Sequence, residues 1–229
     1  MKFSTLAVAL FASTTLVSVS SKHTLTAEFD FDELKATVTV VQNNKLARNN
    51  AAVWNVQISK FNKKGLCPSG QLNWHVHQYP GYGIRDANAV LSTSAPLCDK
   101  AETGGHYDPT FACGGASQNK ANGVCEILRT TNQVPLGEGN GLVKEVDSYA
   151  ACKPDNQSSC EIGDQSGKLG PLKAKRKRVQ QFKDQWMTPI DNLEGKSMVL
   201  HCCYDDGQTN PDGSVKLNCG PRLACANLE

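Results

Sequence analysis

The stretch KATVTVVQNNKLARNNAAVWNVQIS, residues 35–59, decides the fold class. Its first part, KATVTVV (35–41), is rich in β-branched residues, which favour an extended backbone. In its last part, VWNVQIS (53–59), apolar and polar residues alternate, which is the period of a strand that buries one face. The polar segment NNKLARNN (43–50) between them is typical of a turn. The stretch therefore predicts two neighbouring strands of an antiparallel sheet.

Further strand-like segments follow along the chain, separated by turns rich in Gly, Asn and Pro. Helical periodicity is not evident in any of them. Many short strands with such turns are typical of antiparallel sandwiches and barrels. We therefore expect an all-β fold, an antiparallel Greek-key β-sandwich or barrel with long disulfide-pinned loops. The further strands are predicted in LNWHVHQY (72–79), AKRKRVQQFKDQW (174–186) and KSMVLHCCY (196–204).

Residues 1–20 have the features of a secretory signal peptide. One positive charge precedes an apolar run (6–12), and the small residues Ser18 and Ser20 form a cleavage signature. The apolar run is too short to span a bilayer, and no later segment reaches that length. We therefore expect one secreted, extracellular domain over residues 21–229, with no transmembrane segment.

The net charge and the cysteine content limit the possible binding partners and indicate the compartment of the protein. Of the 24 basic residues, Lys2 leaves with the signal peptide, so 23 basic and 22 acidic residues remain. This balance argues against bulk nucleic-acid binding. All ten cysteines follow the signal peptide, which fits several disulfides formed in an oxidising compartment. No feature of the sequence sets an oligomeric state.

Residues 107–160 are low in apolar residues and rich in Gly, Asn and Ser. An irregular segment of this length in a compact domain is usually functional or tethered, so we expect a long disulfide-pinned loop insertion or a small subdomain. Local spacing suggests three cysteine pairs, although spacing does not determine connectivity. The pairs are Cys113 with Cys125, Cys152 with Cys160, and Cys219 with either Cys202 or Cys203.

Two of the five histidines, His75 and His77, are one residue apart in a predicted strand. Side chains at i and i+2 share one face of a strand, so both imidazoles can reach one metal ion. Imidazole suits copper, zinc, iron or nickel, and a flattened site of four nitrogens favours Cu(II). The alternative is a pair that faces solvent. His23 is expected in a mobile tail, although a histidine near a free N-terminus can also bind copper.

Five motifs, in the same order, resemble those of the Cu/Zn superoxide dismutase family. The resemblance covers the chain from about Ala36 to the C-terminus. It implies the sandwich fold of that family, its copper site and its activity. The motifs are NWHVHQY (73–79), GGHYDP (104–109), GDQSGKLG (163–170), SMVLHCCYDD (197–206) and PRLAC (221–225).

The resemblance assigns a role to each matching residue. His106 would bind copper and carry a proton, Arg222 would guide the superoxide anion, and Cys98 would form a disulfide with Cys225. The implied copper ligands are His75, His77, His106 and His201.

The sequence departs from the two-metal members of the family because no histidine lies between His106 and His201. Carboxylates stand where zinc histidines would be, a pattern that resembles the secreted copper-only members. Glu161 is then the expected partner of His106, since a ligating imidazole needs a group at its other nitrogen. Asp164 is expected to accept hydrogen bonds within its loop. The alternative is a zinc ion held by His106, Glu161, Asp164 and water.

Asp205 matches an aspartate that orients metal-binding histidines in the family, so it either fixes His75 or lies in a solvated turn. The cationic segment KAKRKR (173–178) either binds acidic polysaccharide or is a solvated surface. The long insertion could shield the copper channel, mediate adhesion or decorate the fold.

We expect an extracellular copper-dependent superoxide dismutase, with zinc not expected. The alternative function is an inert copper-binding or adhesion protein on the same fold.

Overall fold

The computed structural model describes residues 22–90, 93–131, 160–174, 178–209 and 215–229. The predicted signal peptide, Cys152 and most of the predicted loop insertion lie outside the described residues, as does the middle of the cationic segment KAKRKR. Within the described residues, no helix is long and apolar enough to cross a membrane.

A four-stranded antiparallel sheet contains both strands predicted from residues 35–59. Its burial pattern alternates along the second strand, as the sequence period predicts. Trp54 and its alternating neighbours point into the core from the third strand. The strands, in their order across the sheet, are β1 (Lys22–Asp30), β2 (Leu34–Asn43), β3 (Ala52–Phe61) and β7 (Val179–Asp184).

A five-stranded antiparallel sheet packs against the first sheet and contains the predicted strand with the His-x-His pair. A two-stranded hairpin, β9 (Tyr204–Thr209) with β10 (Val215–Asn218), extends from this part of the chain. Across the larger sheet the order is β5 (Gly83–Ile84), β11 (Arg222–Asn227), β8 (Ser197–Cys202), β4 (Gln71–His77) and β6 (Leu172–Lys173).

The hydrophobic core lies between the two sheets. Trp54 of β3 meets Trp74 of β4 edge to face, with ring centroids 5.6 Å apart at 89°, and both side chains are fully buried. Such aromatic pairs add favourable interactions beyond the area that they bury. The fold is therefore the predicted all-β antiparallel sandwich, and β4 uses one face for this core.

Short helices connect the strands, and the sequence pattern did not reveal them. Most are single turns held by polar caps; Asp99, for example, accepts backbone hydrogen bonds from Ala101 and Glu102. The α-helices of the described residues are α1 (Asn44–Arg48), α2 (Lys63–Leu66), α3 (Lys100–Thr103), α4 (Gln118–Ala121), α5 (Val124–Thr131) and α6 (Gln165–Leu169), and 3-10 helices span Pro96–Cys98 and Ile190–Leu193.

Four disulfides are present among the described residues. Cys98 pairs with Cys225, as the family resemblance implies, and Cys113 pairs with Cys125. Of the two candidates for Cys219, the partner is Cys203. The pair of Cys67 with Cys202 was not predicted, because its two residues lie 135 positions apart. The predicted pair of Cys152 with Cys160 stays a prediction, because Cys160 is described and buried but Cys152 lies outside the described residues.

Candidate metal centre

Three of the predicted ligands lie on one face of two adjacent strands. His75 and His77 alternate in β4 with Trp74 and Val76, which point into the core, so the histidines point to the opposite face. In the neighbouring strand β8, His201 pairs with Asn73 of β4 and therefore shares the histidine face. The three imidazoles are at most 7% exposed. Sheet register thus brings together residues that are more than 120 positions apart.

One nitrogen on each of these imidazoles is buried and has no hydrogen-bond partner among the described residues. These atoms are Nδ1 of His75, Nε2 of His77 and Nε2 of His201. Ligand atoms of the three histidines lie within 4.8 Å of one another. An unpartnered buried polar atom is costly, and three of them this close together offer a set of nitrogen donors that could hold a metal ion.

The opposite nitrogen of each ring faces an oxygen, which accepts a hydrogen bond from His77 and from His201 and is a carboxylate oxygen for His75. The backbone carbonyl of Gly104 accepts from Nδ1 of His77 at 2.9 Å, and that of Gly220 accepts from Nδ1 of His201 at 3.0 Å. Nε2 of His75 lies 3.4 Å from Oδ1 of Asp164. Since a neutral imidazole carries one proton, these contacts leave the lone pairs on the three unpartnered nitrogens.

The fourth predicted ligand, His106, reaches the same place from the loop between β5 and α4. Its ring centroid is 4.2 Å from that of His75 and 5.2 Å from that of His77. Its backbone is held by an isolated β-bridge to His77 and another to Ser117. All four predicted copper ligands are therefore neighbours in one buried cluster, which we call the histidine cluster.

Two buried carboxylates lie behind His106. Nδ1 of His106 is 2.5 Å from Oε2 of Glu161 and 3.8 Å from Oδ2 of Asp164. Asp164 also faces His75, so it contacts two of the four imidazoles. In addition it accepts a hydrogen bond from the backbone N–H of Gly167 at 2.7 Å, as the predicted loop acceptor would. The predicted neighbour of His106, Glu161, is the nearer of the two carboxylates.

The loop that carries both carboxylates is fastened to the histidine strand. The backbone N–H of Val76 donates to the carbonyl of Gly163 at 2.8 Å and to Oε1 of Gln165 at 3.1 Å. The backbone N–H of Trp74 donates to Oγ of Ser166 at 2.6 Å. These bonds use the edge of β4 on either side of His75, so the carboxylates and the imidazoles hold a fixed relative position.

A buried ion pair also holds this loop in place. Nζ of Lys168 donates to the carbonyl of Ile162 and to Oδ2 of Asp184, each at 2.7 Å. Both charged side chains are fully buried. An unpaired buried charge is very unfavourable, so Lys168 is held at Asp184. Through its second hydrogen bond, Lys168 also joins Ile162, the residue next to Glu161, to strand β7.

Burial sets the ionisation of the cluster. It lowers the pKa of His75 and of His77 well below the ordinary value, and lowers the pKa of His201 to about 3. The charge of His106 also lowers the pKa of all three imidazoles. These imidazoles are therefore neutral at physiological pH, the form in which imidazole binds metals.

The pKa of His106 shifts in the opposite direction. Burial alone would lower it, but the hydrogen bond and charge of Glu161, together with the charge of Asp164, raise it above the ordinary value. Burial also raises the pKa of Asp164. His106 is thus the member of the cluster whose protonated form is best stabilised.

Arg222 of β11 is held beside the cluster. Its Cα pairs with that of His201, and its side chain is 7% exposed. The guanidinium donates to the carbonyls of Cys98 at 3.0 Å and of Gly104 at 2.6 Å, and to Oγ1 of Thr103 at 2.6 Å. Burial lowers its pKa to about 10, which leaves it a cation at neutral pH.

The Gly104 carbonyl therefore accepts from both Arg222 and His77 and joins the cation to the cluster. Gly104 has φ of +74°, and a Cβ there would lie 2.6 Å from Oε1 of Gln118. A residue with a side chain would not fit this conformation. Sequence analysis did not predict roles for Gly104, Gln165 or Ser166; the Gly-Gly pair before His106 was the available signal for the first.

Asp205 does not contact the histidine cluster. It is exposed in β9, where its carboxylate accepts a hydrogen bond from the backbone N–H of Gly207 at 2.8 Å. The predicted contact of Asp205 with His75 was wrong, because Asp164 occupies that position. The alternative interpretation, a solvated turn residue, agrees with the structure. His23 was also placed wrongly, since it lies in β1 and not in a tail.

The donor atoms fit two kinds of metal site. The histidine cluster offers imidazole nitrogens alone, which suits copper among other metals. His106, Glu161 and Asp164 offer ligand atoms within 4.8 Å of one another and form a second candidate group with mixed nitrogen and oxygen donors. In this second group the imidazole and the nearer carboxylate already share a short hydrogen bond.

Comparison with solved structures found proteins that this chain is similar to. One is Candida albicans superoxide dismutase 5 in its Cu(II) form, at 17% identity and a TM-score of 0.45, with 92% of each chain covered. Another is the clock protein EA4, at 16% identity and a TM-score of 0.44, with 92% of this chain and 95% of that chain covered. No protein-family model matches the chain, and no significantly similar curated protein was found.

Proposed function

We propose that the protein is a copper-dependent superoxide dismutase with a mononuclear site formed by His75, His77, His106 and His201. The observation that carries the proposal is the set of three buried imidazole nitrogens that lack hydrogen-bond partners among the described residues and lie within 4.8 Å of one another. When bound, copper would supply the one-electron redox chemistry that converts two superoxide anions and two protons to dioxygen and hydrogen peroxide.

His106 is proposed to handle the proton. Glu161 accepts from its Nδ1, which leaves Nε2 as the nitrogen that can bind either a metal or a proton. The same hydrogen bond limits how far the ring can turn, because Glu161 is itself buried on the loop fastened to β4. Proton transfer would therefore take place at Nε2 with little movement of the ring.

Arg222 is proposed to bind the superoxide anion by charge and hydrogen bonding. Three protein oxygens fix the direction of its guanidinium, so little reorganisation is needed when the anion arrives. Its charge would also attract anions to a site that is otherwise enclosed by neutral imidazoles.

The alternative is a copper-binding or adhesion protein that keeps the fold without rapid turnover. The histidine cluster alone is compatible with that function. The position of Arg222 favours the enzyme, since its cationic guanidinium lies beside the histidine cluster, where it would attract an anion.

Pulse radiolysis of the copper-loaded protein tests the proposal. We expect wild type to remove superoxide much faster than buffer, and Arg222→Ala to be slower with equal copper content. Arg222→Lys, which keeps the charge but loses the planar fork, should lie between them. Copper-loaded wild type that is no faster than the metal-free protein would leave copper binding as the function.

Several further assignments belong to the same proposal. We propose secretion to the extracellular space and no zinc requirement; zinc bound stoichiometrically at His106, Glu161 and Asp164 would overturn the copper-only assignment. The segment 173–178 is proposed as a weak site for acidic polysaccharide, and heparin chromatography of a variant with neutral residues there would test it. A functional role of the predicted insertion stays a prediction.

A further inference from the structure

Basic residues are concentrated in two stretches of the chain that contain no acidic residue. Residues 34–85 hold seven Lys and Arg, residues 165–183 hold another seven, and neither stretch has an Asp or Glu. The whole chain has 24 basic and 22 acidic residues, so its overall balance hides this separation. Charge that is segregated in this way produces a local positive potential even on a protein of low net charge.

The fold brings the two acid-free stretches side by side. Strand β3 of the first stretch pairs with β7 of the second, and β4 pairs with β6. Lys35 and Lys168 already have carboxylate partners. Other cations of these stretches are exposed and have no carboxylate within ion-pair distance among the described residues, and they include Lys45, Lys173, Arg178 and Lys183.

Lys45 and Lys183 line a cleft of about 490 Å³ between α1 and the end of β7. This volume is in the range of pockets that hold small ligands. An acidic sugar has an anionic substituent, hydroxyl groups and an apolar ring face, and the cleft offers a counterpart to each. Beside the two lysines, its lining combines apolar side chains with amides, namely Leu46, Ala51, Asn49 and Gln185.

Hydrogen bonds fix both walls of the cleft. Oδ1 of Asn43 accepts from the backbone N–H groups of Lys45 and Leu46, each at 3.0 Å, which holds the start of α1. The backbone N–H of Met187 donates to the carbonyl of Asn50 at 2.7 Å, and so joins the chain after β7 to the connection between β2 and β3. A site that is already ordered loses less freedom when a ligand binds.

A second group of cations lies at the other end of β7. Arg178 immediately precedes this strand, and Lys183 follows five residues later, so the two ends are about 16 Å apart. Lys173 is fastened beside Arg178, because its backbone exchanges two hydrogen bonds with the Gln180 side chain, each at 2.9 Å. Since β7 is the edge strand of its sheet, a linear polymer could lie along it and reach both ends.

The outer face of β3 and β7 between these two ends is largely polar. Asn55 and Gln57 of β3 lie beside Gln181 and Val179 of β7, and Gln181 donates to Oδ1 of Asn55 at 2.9 Å. Single-stranded nucleic acids are held largely by stacking on aromatic rings, and none of these four side chains is aromatic. Side-chain amides both donate and accept hydrogen bonds, which suits the hydroxyl groups of a polysaccharide.

We propose that the cleft and strand β7 form a binding track for a linear acidic polysaccharide. The cleft holds one acidic sugar between Lys45 and Lys183, and the polymer continues along β7 to Arg178 and Lys173. The track extends the weak polysaccharide site proposed above for residues 173–178. It depends neither on the histidine cluster nor on the proposed dismutase activity.

Calorimetric titration of the full protein tests the track with two probes, a heparin oligosaccharide that carries sulfates and an oligogalacturonate that carries carboxylates. Both should be long enough to span the two ends of β7. We expect wild type to bind at least one probe at low ionic strength, and the tighter probe identifies the preferred anionic group. The cleft variant, Lys45→Gln with Lys183→Gln, should weaken this binding roughly fivefold or more. Lys173→Gln with Arg178→Gln should weaken it to a similar extent.

Two further variants separate the track from general charge attraction. Lys45→Arg with Lys183→Arg keeps both charges of the cleft and should bind as wild type does. Lys100→Gln with Lys120→Gln is the matched control, because it removes the same charge from exposed positions outside both acid-free stretches. This control should change the dissociation constant by less than about twofold.

Four results would overturn the proposal. The first is wild type that binds neither probe. The second is unchanged binding in either of the two Lys/Arg→Gln variants of the track, since a continuous track needs both ends. The third is equal weakening in the cleft variant and the matched control, and the fourth is equally tight binding of a DNA duplex. Dismutase activity is measured separately, so the track and the proposed enzyme can fail independently.

Discussion

Substitution of Gly114 by alanine should displace the Glu161 carboxylate that contacts His106. A Cβ at position 114 would lie 2.2 Å from Oε1 of Glu161 and 2.9 Å from its Cδ. Ordinary contacts to a Cβ begin near 3.4 Å, so the carboxylate must retreat by about 1 Å. Because Oε1 and Oε2 belong to one rigid carboxylate, a displacement of that size should disrupt the contact of Oε2 with Nδ1 of His106, which is now 2.5 Å.

The expected cost follows from two effects. Overpacking a well-filled site costs roughly 1–3 kcal/mol, and losing a buried hydrogen bond to a charged group costs roughly 1.5–3 kcal/mol. Because the two effects share one displacement, they do not add fully, and we expect the metal-free protein to lose about 2–4 kcal/mol of unfolding free energy. The pKa of His106 should fall, since burial would no longer be opposed by the Glu161 hydrogen bond.

Gly115→Ala is the matched control. A Cβ at position 115 would have no neighbour within 4 Å, so this variant should change the unfolding free energy by less than about 0.5 kcal/mol. Urea unfolding measures the stability of both variants, and NMR titration of the His106 ring measures its pKa in the metal-free protein. If Gly114→Ala matches Gly115→Ala in both measurements, the assigned contact between Glu161 and His106 is wrong.

Three other predictions address ionisation, the buried ion pair and a disulfide. Burial lowers the pKa of His201 to about 3 in the folded protein, against about 6.5 in the unfolded chain, so between these two pH values only the unfolded state binds the proton. As the pH falls through this window, the free energy of unfolding therefore decreases by about 1.4 kcal/mol per pH unit. Urea unfolding of metal-free His201→Asn should show a pH slope shallower by that amount, and an unchanged slope would contradict the assigned burial. Lys168→Met removes the cation that faces the buried carboxylate of Asp184, which among the described residues keeps hydrogen bonds only from Trp54 and Trp186, and should cost roughly 3–5 kcal/mol. Stability of Lys168→Met equal to that of wild type would contradict the assigned ion pair. Replacing Cys67 and Cys202 together by serine should lower the unfolding free energy by roughly 2–5 kcal/mol under oxidising conditions, because the bridge closes a loop of 135 residues; equal stability in reductant and oxidant for wild type would contradict this.

Local periodicity predicted those parts of the fold that it encodes directly. Alternation in residues 53–59 predicted which side chains of β3 enter the core, and the His-x-His spacing predicted that His75 and His77 share one face. Both predictions need only the two-residue period of a strand. The prediction that Glu161 lies beside His106 came instead from the family resemblance and from the need of a ligating imidazole for a partner at its second nitrogen.

The unpredicted features depend on contacts between distant parts of the chain. Val76 and Gln165 are 89 positions apart, and nothing in either local sequence indicates that the amide oxygen accepts from that backbone N–H. The disulfide between Cys67 and Cys202 likewise joins two distant parts of the chain, and neither local sequence indicates it. The contact of Asp205 with His75, one of the two interpretations offered, came from the position of Asp205 in a motif. The structure has Asp164 there because the loop before α6 is fastened along β4.

Electron paramagnetic resonance of bound Cu(II) tests the central claim most directly. The four-imidazole site predicts one tightly bound equivalent of Cu(II) with nitrogen couplings from four imidazoles, and loss of a coupling in each of His75→Ala, His77→Ala, His106→Ala and His201→Ala. A bound Cu(II) whose spectrum does not change when any one of these histidines is replaced would contradict the account.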